Sequence, residues 1–95
     1  MDWQFAPDIK SRLDRILLSG LFEHVDGQKI TAMRGFGSTS RAIARIWSLP
    51  KPWQLALRIK PQYIIEVIEQ RFDKLSDDQK DKTLIHELMH IPKTF

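Results

Sequence analysis

Apolar residues near the start of the chain recur with the spacing of a helix. Five of them repeat at intervals of three and four residues, which predicts an amphipathic helix over residues 7–21: Ile9, Leu13, Ile16, Leu17 and Leu21. Pro7 suits the first turn of such a helix, and Gly20 suits its end. A turn is then predicted at Asp26-Gly27.

The middle of the chain is richer in β-branched and aromatic residues. Residues 29–36 and 42–48 are predicted to be strands, forming a hairpin or lying as two neighbouring strands. In the second segment apolar residues occur at both odd and even positions, that is, on both faces of the strand. Both faces are therefore expected to be covered by other parts of the protein. Ile43, Trp47 and Leu49 fall on one side, and Ala44 and Ile46 fall on the other.

Two later segments have an ambiguous pattern. Leu55, Leu57 and Ile59 alternate, which indicates a short extended piece, with a helical turn as the alternative. The segment Tyr63–Ile68 fits a helix face or a strand, and its β-branched enrichment after Pro61 favours a strand. The predicted order is therefore helix, two strands, turn, strand and helix, an α+β arrangement.

The last predicted helix runs from about Asp77 to about Ile91. Ser76 and Gln79 match a capping box, acidic residues follow in the first turn, and Pro92 ends the helix. Four apolar residues share one side as a core stripe: Leu84, Ile85, Leu88 and Met89. On nearly the opposite side lie Thr83 and two histidines, His86 and His90.

These histidines belong to the pattern H-E-x-x-H formed by His86, Glu87 and His90. Residues four apart on a helix lie one above the other, about 6 Å apart, so both imidazoles can reach one Zn²⁺ at about 2.0–2.1 Å. Glu87 projects beside the pair and could take a proton from water at the metal. The pattern indicates metal-assisted hydrolysis, most often of a peptide bond.

Five segments resemble the phage and archaeal metallopeptidase family: Ala44–Trp47, Leu49–Pro50, Tyr63–Val67, Phe72–Ser76 and His86–Phe95. The similarity covers roughly residues 28–95. It implies a single small zincin-like domain over residues 1–95, with an N-terminal helix, a three-stranded mainly antiparallel or mixed sheet and a C-terminal metal-binding helix. In folds of this type an edge strand beside the metal helix holds the substrate as an added strand.

The resemblance also implies a third metal ligand. A catalytic zinc usually has three protein ligands, and in this family a further histidine is expected after the motif, beyond Phe95. The third ligand could also come from upstream or from another chain, and the 95-residue chain could itself be inactive. Upstream candidates are His24, Glu23, Asp26, Glu66, Glu69 and Asp73, of which His24 is best by chemistry.

Composition narrows the class of protein. The 95 residues are 42% hydrophobic and 28% charged, as in ordinary globular domains. Absence of cysteine excludes disulfides and thiolate zinc sites, and leaves histidines and carboxylates as ligands. With neither a signal peptide nor a membrane span visible, we expect a cytoplasmic protein without a membrane partner.

The net charge of +3 arises in part from a basic middle segment, with no acidic residue between Asp26 and Glu66. In the middle third of the chain the cations are Arg34, Arg41, Arg45, Lys51, Arg58 and Lys60, interleaved with Phe36, Trp47 and Trp53. Such a segment could contact nucleic acid, but a basic outer sheet face with its aromatics in the core is favoured. The alternative to a peptidase acting on peptides or proteins is therefore a non-catalytic zinc- or nucleic-acid-binding regulatory module. The oligomeric state stays open.

Overall fold

The computed structural model describes residues 2–37 and 41–93. Within those ranges the chain forms a four-stranded mixed sheet: β1 (Asp2–Phe5), β2 (Ile30–Phe36), β3 (Ala44–Ser48) and β4 (Tyr63–Ile68). The spatial order is β1-β2-β4-β3, with β4 parallel to β2 and antiparallel to β3, and β1 antiparallel to β2. Strands β1 and β3 are therefore the two edges.

The same ranges hold four α-helices: α1 (Pro7–Leu18), α2 (Lys51–Leu57), α3 (Glu69–Phe72) and α4 (Asp77–Leu88). A short 3₁₀ turn, Gly27–Lys29, precedes β2. The α+β class is confirmed. None of the helices described is long and apolar enough to span a membrane.

The sheet corrects two sequence predictions. A three-stranded sheet was expected, but β1 adds a fourth strand, pairing Trp3 with Gly35 and Phe5 with Met33. The prediction that β2 and β3 pair or lie side by side is wrong, because β4 lies between them. The prediction of a strand at Tyr63–Ile68 is confirmed, and its apolar character reflects burial between two neighbours.

The first three helices differ from the sequence predictions. Helix α1 ends at Leu18 rather than residue 21, and α3 had not been predicted. The extended prediction for residues 55–59 is wrong, since Leu55 and Leu57 lie in α2, and the alternative of a helical turn is correct. Local hydrogen bonds from Trp53 N and Gln54 N to Pro50 O begin that helix.

Helices α1 and α4 cover one face of the sheet. Alternate residues of the strands point toward them, and the buried cluster formed there is mainly aliphatic, with Phe22, Tyr63 and Phe72 as its aromatic members. Its centre comprises Leu13 of α1, Leu84 and Leu88 of α4, Ile30 and Ala32 of β2, and Ile65 and Val67 of β4. Arg12 ties the helices together by ion pairs with Asp77 and Asp81.

The other face of the sheet carries aromatic and charged side chains. Trp3 and Trp47 meet above it with ring centroids 5.9 Å apart. Trp47 and Trp53 are exposed, so the prediction that the basic segment buries its aromatics in the core is wrong. Covering of both faces of β3 was also expected, but only Ala44 and Ile46 pack against the core cluster.

Candidate metal centre

Helix α4 is fixed at its beginning by the capping box that the sequence predicted. Gln79 N donates to Ser76 Oγ at 3.2 Å, and Ser76 N donates to Gln79 Oε1 at 3.1 Å. These two reciprocal hydrogen bonds stabilise the first turn of the helix. Leu84 and Leu88 are fully buried and hold the helix against the sheet.

The electrostatics of the α1–α4 contact reinforce that placement. The Arg12 guanidinium donates to Asp81 Oδ1 at 2.9 Å and to Asp77 Oδ1 at 3.1 Å. Hydrogen bonding to Asp81 is the main cause that raises the pKa of Arg12 above its ordinary value, with Asp77 adding to it against the opposing effect of burial. The guanidinium therefore stays charged and pins the first turn of α4.

The end of α4 differs from the predicted one, and this affects the motif. The helix ends at Leu88, and His90 N and Ile91 N donate to Glu87 O and Leu88 O in a tight 3₁₀-type turn. Met89 is 68% exposed, so its predicted place in the core stripe is wrong. Met89 N still donates to Ile85 O as in an α-helix, and Met89 lies about 100° around the helix axis from Leu88, beyond the buried side.

The histidines of the motif nevertheless remain adjacent. Both side chains are exposed, and the centroids of the His86 and His90 rings lie 5.1 Å apart at an interplanar angle of 90°. Two imidazoles that bind one tetrahedral zinc through nitrogens at about 2.0–2.1 Å have centroids about 5 Å apart. The spacing of the rings suits a shared metal ion.

These side chains lie beside the edge strand β3. One hollow is lined by His86 and Glu87 together with Arg41, Ile43 and Ala44. A second is lined by Glu87 and His90 together with Ala44–Trp47. We call the continuous surface made by these two hollows the β3–α4 groove. Glu87 lines both hollows and is therefore at the middle of the groove.

The outer edge of β3 turns main-chain groups toward this groove. Ile68 N donates to Ile43 O at 2.8 Å, and Leu49 N donates to Gln62 O at 2.9 Å. In an antiparallel pair alternate residues bond to the neighbouring strand, so the residues between them face away from it. The N–H and C=O groups of Ala44, Ile46 and Ser48 accordingly point to the free edge.

The upstream candidates for a third metal ligand are not gathered at the motif. Across residues 2–37 and 41–93, no group of three or more histidine, cysteine or acidic side chains could hold a metal ion. His24 lies close to the chain that follows the motif, with its Nε2 3.2 Å from Ile91 O. Its ring packs on Phe22. That hydrogen bond holds the chain just after His90.

The acidic candidates are engaged elsewhere. Asp26 Oδ1 accepts a hydrogen bond from Gln28 N, and Glu69 lies in an ion pair with Arg34. Asp73 adds to the negative surroundings of the same arginine, and Glu23 is exposed. Each of these residues lies outside the β3–α4 groove as its lining defines it.

Glu66 has a structural environment that the sequence did not suggest. It is 0% exposed and lies on the sheet face opposite the helices. Arg45 donates to both carboxylate oxygens at 3.1 and 3.3 Å, and Trp47 Nε1 donates to Oε1 at 3.0 Å. A buried carboxylate with three donors is already satisfied, so Glu66 has no geometry for the metal.

The sequence reasoning also left the edge strand unidentified. No local signal identifies it, because β3 becomes an edge only through the pairing of β4 with β2 on its other side. The alternation of Arg45 and Trp47 indicates only that one face of that strand carries polar donors.

Comparison with known proteins gives a family but no individual relative. Searches of curated proteins and of solved structures return no match. The family model described as "putative phage metallopeptidase" matches residues 1–95, which extends the resemblance over residues 28–95 to the beginning of the chain. A metallopeptidase family implies a metal ion, and the adjacent imidazoles suit one. The chain belongs to the phage metallopeptidase family.

Proposed function

We propose that the protein is a zinc-dependent metallopeptidase in which His86 and His90 hold the metal and Glu87 is the general base. The observation that carries this proposal is the convergence of both imidazoles and the Glu87 carboxylate on one groove beside a free strand edge. No other part of the described structure combines nitrogen ligands, a carboxylate and an open main-chain edge.

The donor chemistry fits zinc at two ligand positions. Imidazole nitrogen is among the preferred zinc ligands, and both rings are accessible. In this proposal His86 and His90 are two of the three protein ligands usual in a catalytic site, and the third comes from outside the described residues, among which no group of three such ligands occurs. A bound zinc ion would polarise the scissile carbonyl and lower the pKa of a coordinated water.

Glu87 supplies the proton transfers in this proposal. As a carboxylate it accepts the proton of the attacking water and then delivers it to the departing amine nitrogen. Its central position in the groove lets one side chain serve both steps without a change of backbone. His86 and His90 act by orientation, because each is fixed on α4 or the turn that follows it.

The free edge of β3 offers a way to hold the substrate. A peptide that adds to β3 antiparallel would bond to the main-chain groups of Ala44 and Ile46. Since Ala44 lies beside His86 and Ile46 lies beside His90, such a peptide would run from the His90 end toward the His86 end. Its scissile bond would then pass Glu87.

Positive charge at the His86 end of the groove suggests a preference among peptides. Arg41 and Lys82 line the hollow at the His86 end, where the carboxyl-terminal part of the substrate would lie. Lys82 pairs with Asp78 at 3.0 Å, but both side chains are largely exposed, so the pair is weak. Acidic residues after the scissile bond are therefore favoured. A cytoplasmic location, with which the lack of cysteine is compatible, is part of the same proposal.

The test combines metal content with hydrolysis. Zinc bound per chain is measured by elemental mass spectrometry after dialysis, for the wild-type protein and for the Glu87→Gln, His86→Ala and His90→Ala variants. Cleavage is followed on peptides with and without acidic residues after the scissile bond. We expect Glu87→Gln to retain zinc and lose hydrolysis, and both histidine variants to lose zinc.

His24→Gln is the matched control, because it removes the remaining histidine of the chain while keeping a donor near Ile91 O. It should bind as much zinc as the wild type. Full hydrolysis by Glu87→Gln, or zinc content independent of both His86 and His90, would contradict the proposal. Zinc binding without hydrolysis of any peptide would favour the non-catalytic zinc-binding module instead.

A further inference from the structure

The segment Lys51–Lys60, which we call the α2 loop, exposes almost every large apolar side chain that it contains. The exposed fractions are 57% for Trp53, 68% for Leu55, 54% for Leu57 and 43% for Ile59. Scattered exposed apolar residues are ordinary, but four within seven residues concentrate apolar surface in one short segment, which we call the apolar patch. Large apolar side chains are exposed elsewhere in the described chain too, among them Phe5, Leu18 and Leu21, but only in the α2 loop do four of them fall within seven residues.

Cations frame this apolar patch. Lys51 precedes it, Arg58 lies within it and Lys60 follows it, and all three side chains are exposed. The chain has no acidic residue between Asp26 and Glu66, so the α2 loop carries no negative charge of its own. The patch is thus apolar at its centre and positive at both ends.

Several main-chain groups of the α2 loop are paired by local hydrogen bonds. Arg58 N donates to Leu55 O at 3.3 Å, and Ile59 N donates to Gln54 O at 3.1 Å. The side-chain amide of Gln54 donates to Leu49 O at 2.8 Å. Each peptide group paired in this way avoids the cost of an unsatisfied group when the apolar side chains beside it enter a less polar medium.

Arg58 adds an unusual backbone conformation. Its φ of 56° and ψ of 44° lie in the left-handed region at the end of α2, a position that glycine usually occupies. A side chain in this region disfavours the fold slightly. Arginine at this position therefore carries a small conformational cost, and its side chain is exposed.

We propose that the α2 loop docks on an anionic lipid surface, with Trp53, Leu55 and Leu57 entering the interface. Lys51, Arg58 and Lys60 would then lie at the level of the phosphates. Exposed Trp and Leu beside Lys and Arg are the combination that binds at the boundary of headgroups and acyl chains. Attraction to acidic lipids adds to apolar burial, and neither requires a helix long enough to span the membrane.

Charge complementarity favours this occupant over two others. A second copy of the chain docked patch to patch would bring Lys51, Arg58 and Lys60 against their own counterparts. A nucleic acid would satisfy the cations and could stack on Trp53, but it would leave Leu55, Leu57 and Ile59 without apolar contact. An anionic lipid surface satisfies both the cations and the aliphatic side chains.

This inference is independent of the proposed peptidase activity. It departs from the expectation that the protein has no membrane partner, which was based on the lack of a membrane span. The α2 loop connects β3 to β4 along the chain, and Leu49 N donates to Gln62 O at its base. Docking would therefore hold the β3–α4 groove near the lipid surface.

Vesicle co-sedimentation of the purified protein tests the proposal. We expect binding to vesicles of phosphatidylcholine mixed with phosphatidylglycerol and much weaker binding to phosphatidylcholine alone. Arg58→Gly should reduce the partition coefficient about fivefold without destabilising the fold, since glycine suits the left-handed position. The triple variant Lys51→Gln/Arg58→Gly/Lys60→Gln should reduce it about a hundredfold if the three cations act independently.

Leu55→Gln/Leu57→Gln should abolish binding, and Trp53→Phe should remove the shift of tryptophan emission to shorter wavelength that mixed vesicles cause. Matched controls are Leu18→Gln/Leu21→Gln and Lys74→Gln, which change exposed residues of the same types elsewhere. These controls should bind as the wild type does.

Four results would overturn the proposal. The first is absence of binding to mixed vesicles at low salt, and the second is a loss of vesicle binding in the control variants as large as in the α2-loop variants. The third is a dimer that Leu55→Gln/Leu57→Gln abolishes. The fourth is binding of single-stranded oligonucleotides that the triple variant abolishes. The dimer is measured by mass as a function of concentration.

Discussion

The two faces of the sheet bury the central strand β4 by different physical means. Toward the helices, Ile65 and Val67 pack against leucines of α1 and α4 in an aliphatic core. On the opposite face, Glu66 is equally buried, but beneath Arg45 and Trp47 rather than beneath another layer of structure. One strand thus relies on apolar burial on one side and on a satisfied charge on the other.

The placement of ion pairs sharpens this contrast. On the helix-covered face Arg34 lies at the rim, where it contacts Asp8 of α1 and Glu69 of α3. On the open face the pair of Arg45 and Glu66 lies at the centre of the sheet. A charge at the rim keeps part of its hydration, whereas the carboxylate at the centre depends on its donors.

The largest effect is expected on the helix-covered face. Leu84→Ala removes a fully buried side chain between α4 and the sheet and should lower the free energy of unfolding by about 3 kcal/mol. Met89→Ala, at the exposed end of the same helix, is the matched control and should cost less than about 0.5 kcal/mol. Denaturant midpoints measure both, and equal losses would refute the assignment of the core to this face.

A smaller loss is expected at the centre of the open face. Arg45→Met leaves Glu66 buried with fewer hydrogen-bond donors. It should lower the free energy of unfolding by about 2 kcal/mol, less than for a fully buried pair, because the Arg45 side chain is partly exposed. The double variant Arg45→Met/Glu66→Leu should recover most of that loss, since neither charge then remains. A double-mutant cycle by chemical denaturation measures the coupling, and additive losses would mean that the pair does not act as described.

The smallest effect is expected at the rim, and it depends on pH. Burial raises the pKa of Asp8, but the hydrogen bond and charge of Arg34 outweigh it and hold the pKa below the ordinary value of 3.8. A lowered folded-state pKa stabilises the protein above pH 3.8, and this stabilisation disappears as the pH falls through the folded-state value. Asp8→Asn should therefore cost about 0.5 kcal/mol at pH 7 and almost nothing in strong acid.

Denaturant unfolding midpoints of the wild type and of Asp8→Asn across this pH range give the difference in free energy of unfolding between the two proteins. A loss that stays constant into strong acid would show that packing, rather than the ion pair, accounts for the effect. Added salt should reduce the loss at pH 7, since the Asp8 carboxylate is largely exposed.

Local features of the fold were predictable from the sequence. The capping box at Ser76 and Gln79, the apolar repeat of α1 and the strand at Tyr63–Ile68 each depend on residues near one another in the chain. So does the adjacency of His86 and His90, because four residues on one helix bring them together. The bounds of α4 were less accurate, since its last turn tightens after Leu88.

Features that depend on distant partners were not predictable. β1 has only four residues, and it is a strand because residues 33–36 of β2 offer an edge to it. The place of β3 at the other edge depends on β4, which follows it in the chain and pairs between β2 and β3. Glu66 appeared to be a possible ligand because nothing near it in sequence reveals the donors Arg45 and Trp47.

The insertion of β4 between two earlier strands also has a consequence for the order of folding. β3 has no partner in the sheet until β4 arrives, and the parallel pairing of β4 with β2 requires closure of the long segment between them. A nascent chain that has not yet reached residue 68 therefore exposes an unpaired β3, a species prone to aggregation. The groove beside α4 forms only when the whole sheet is complete.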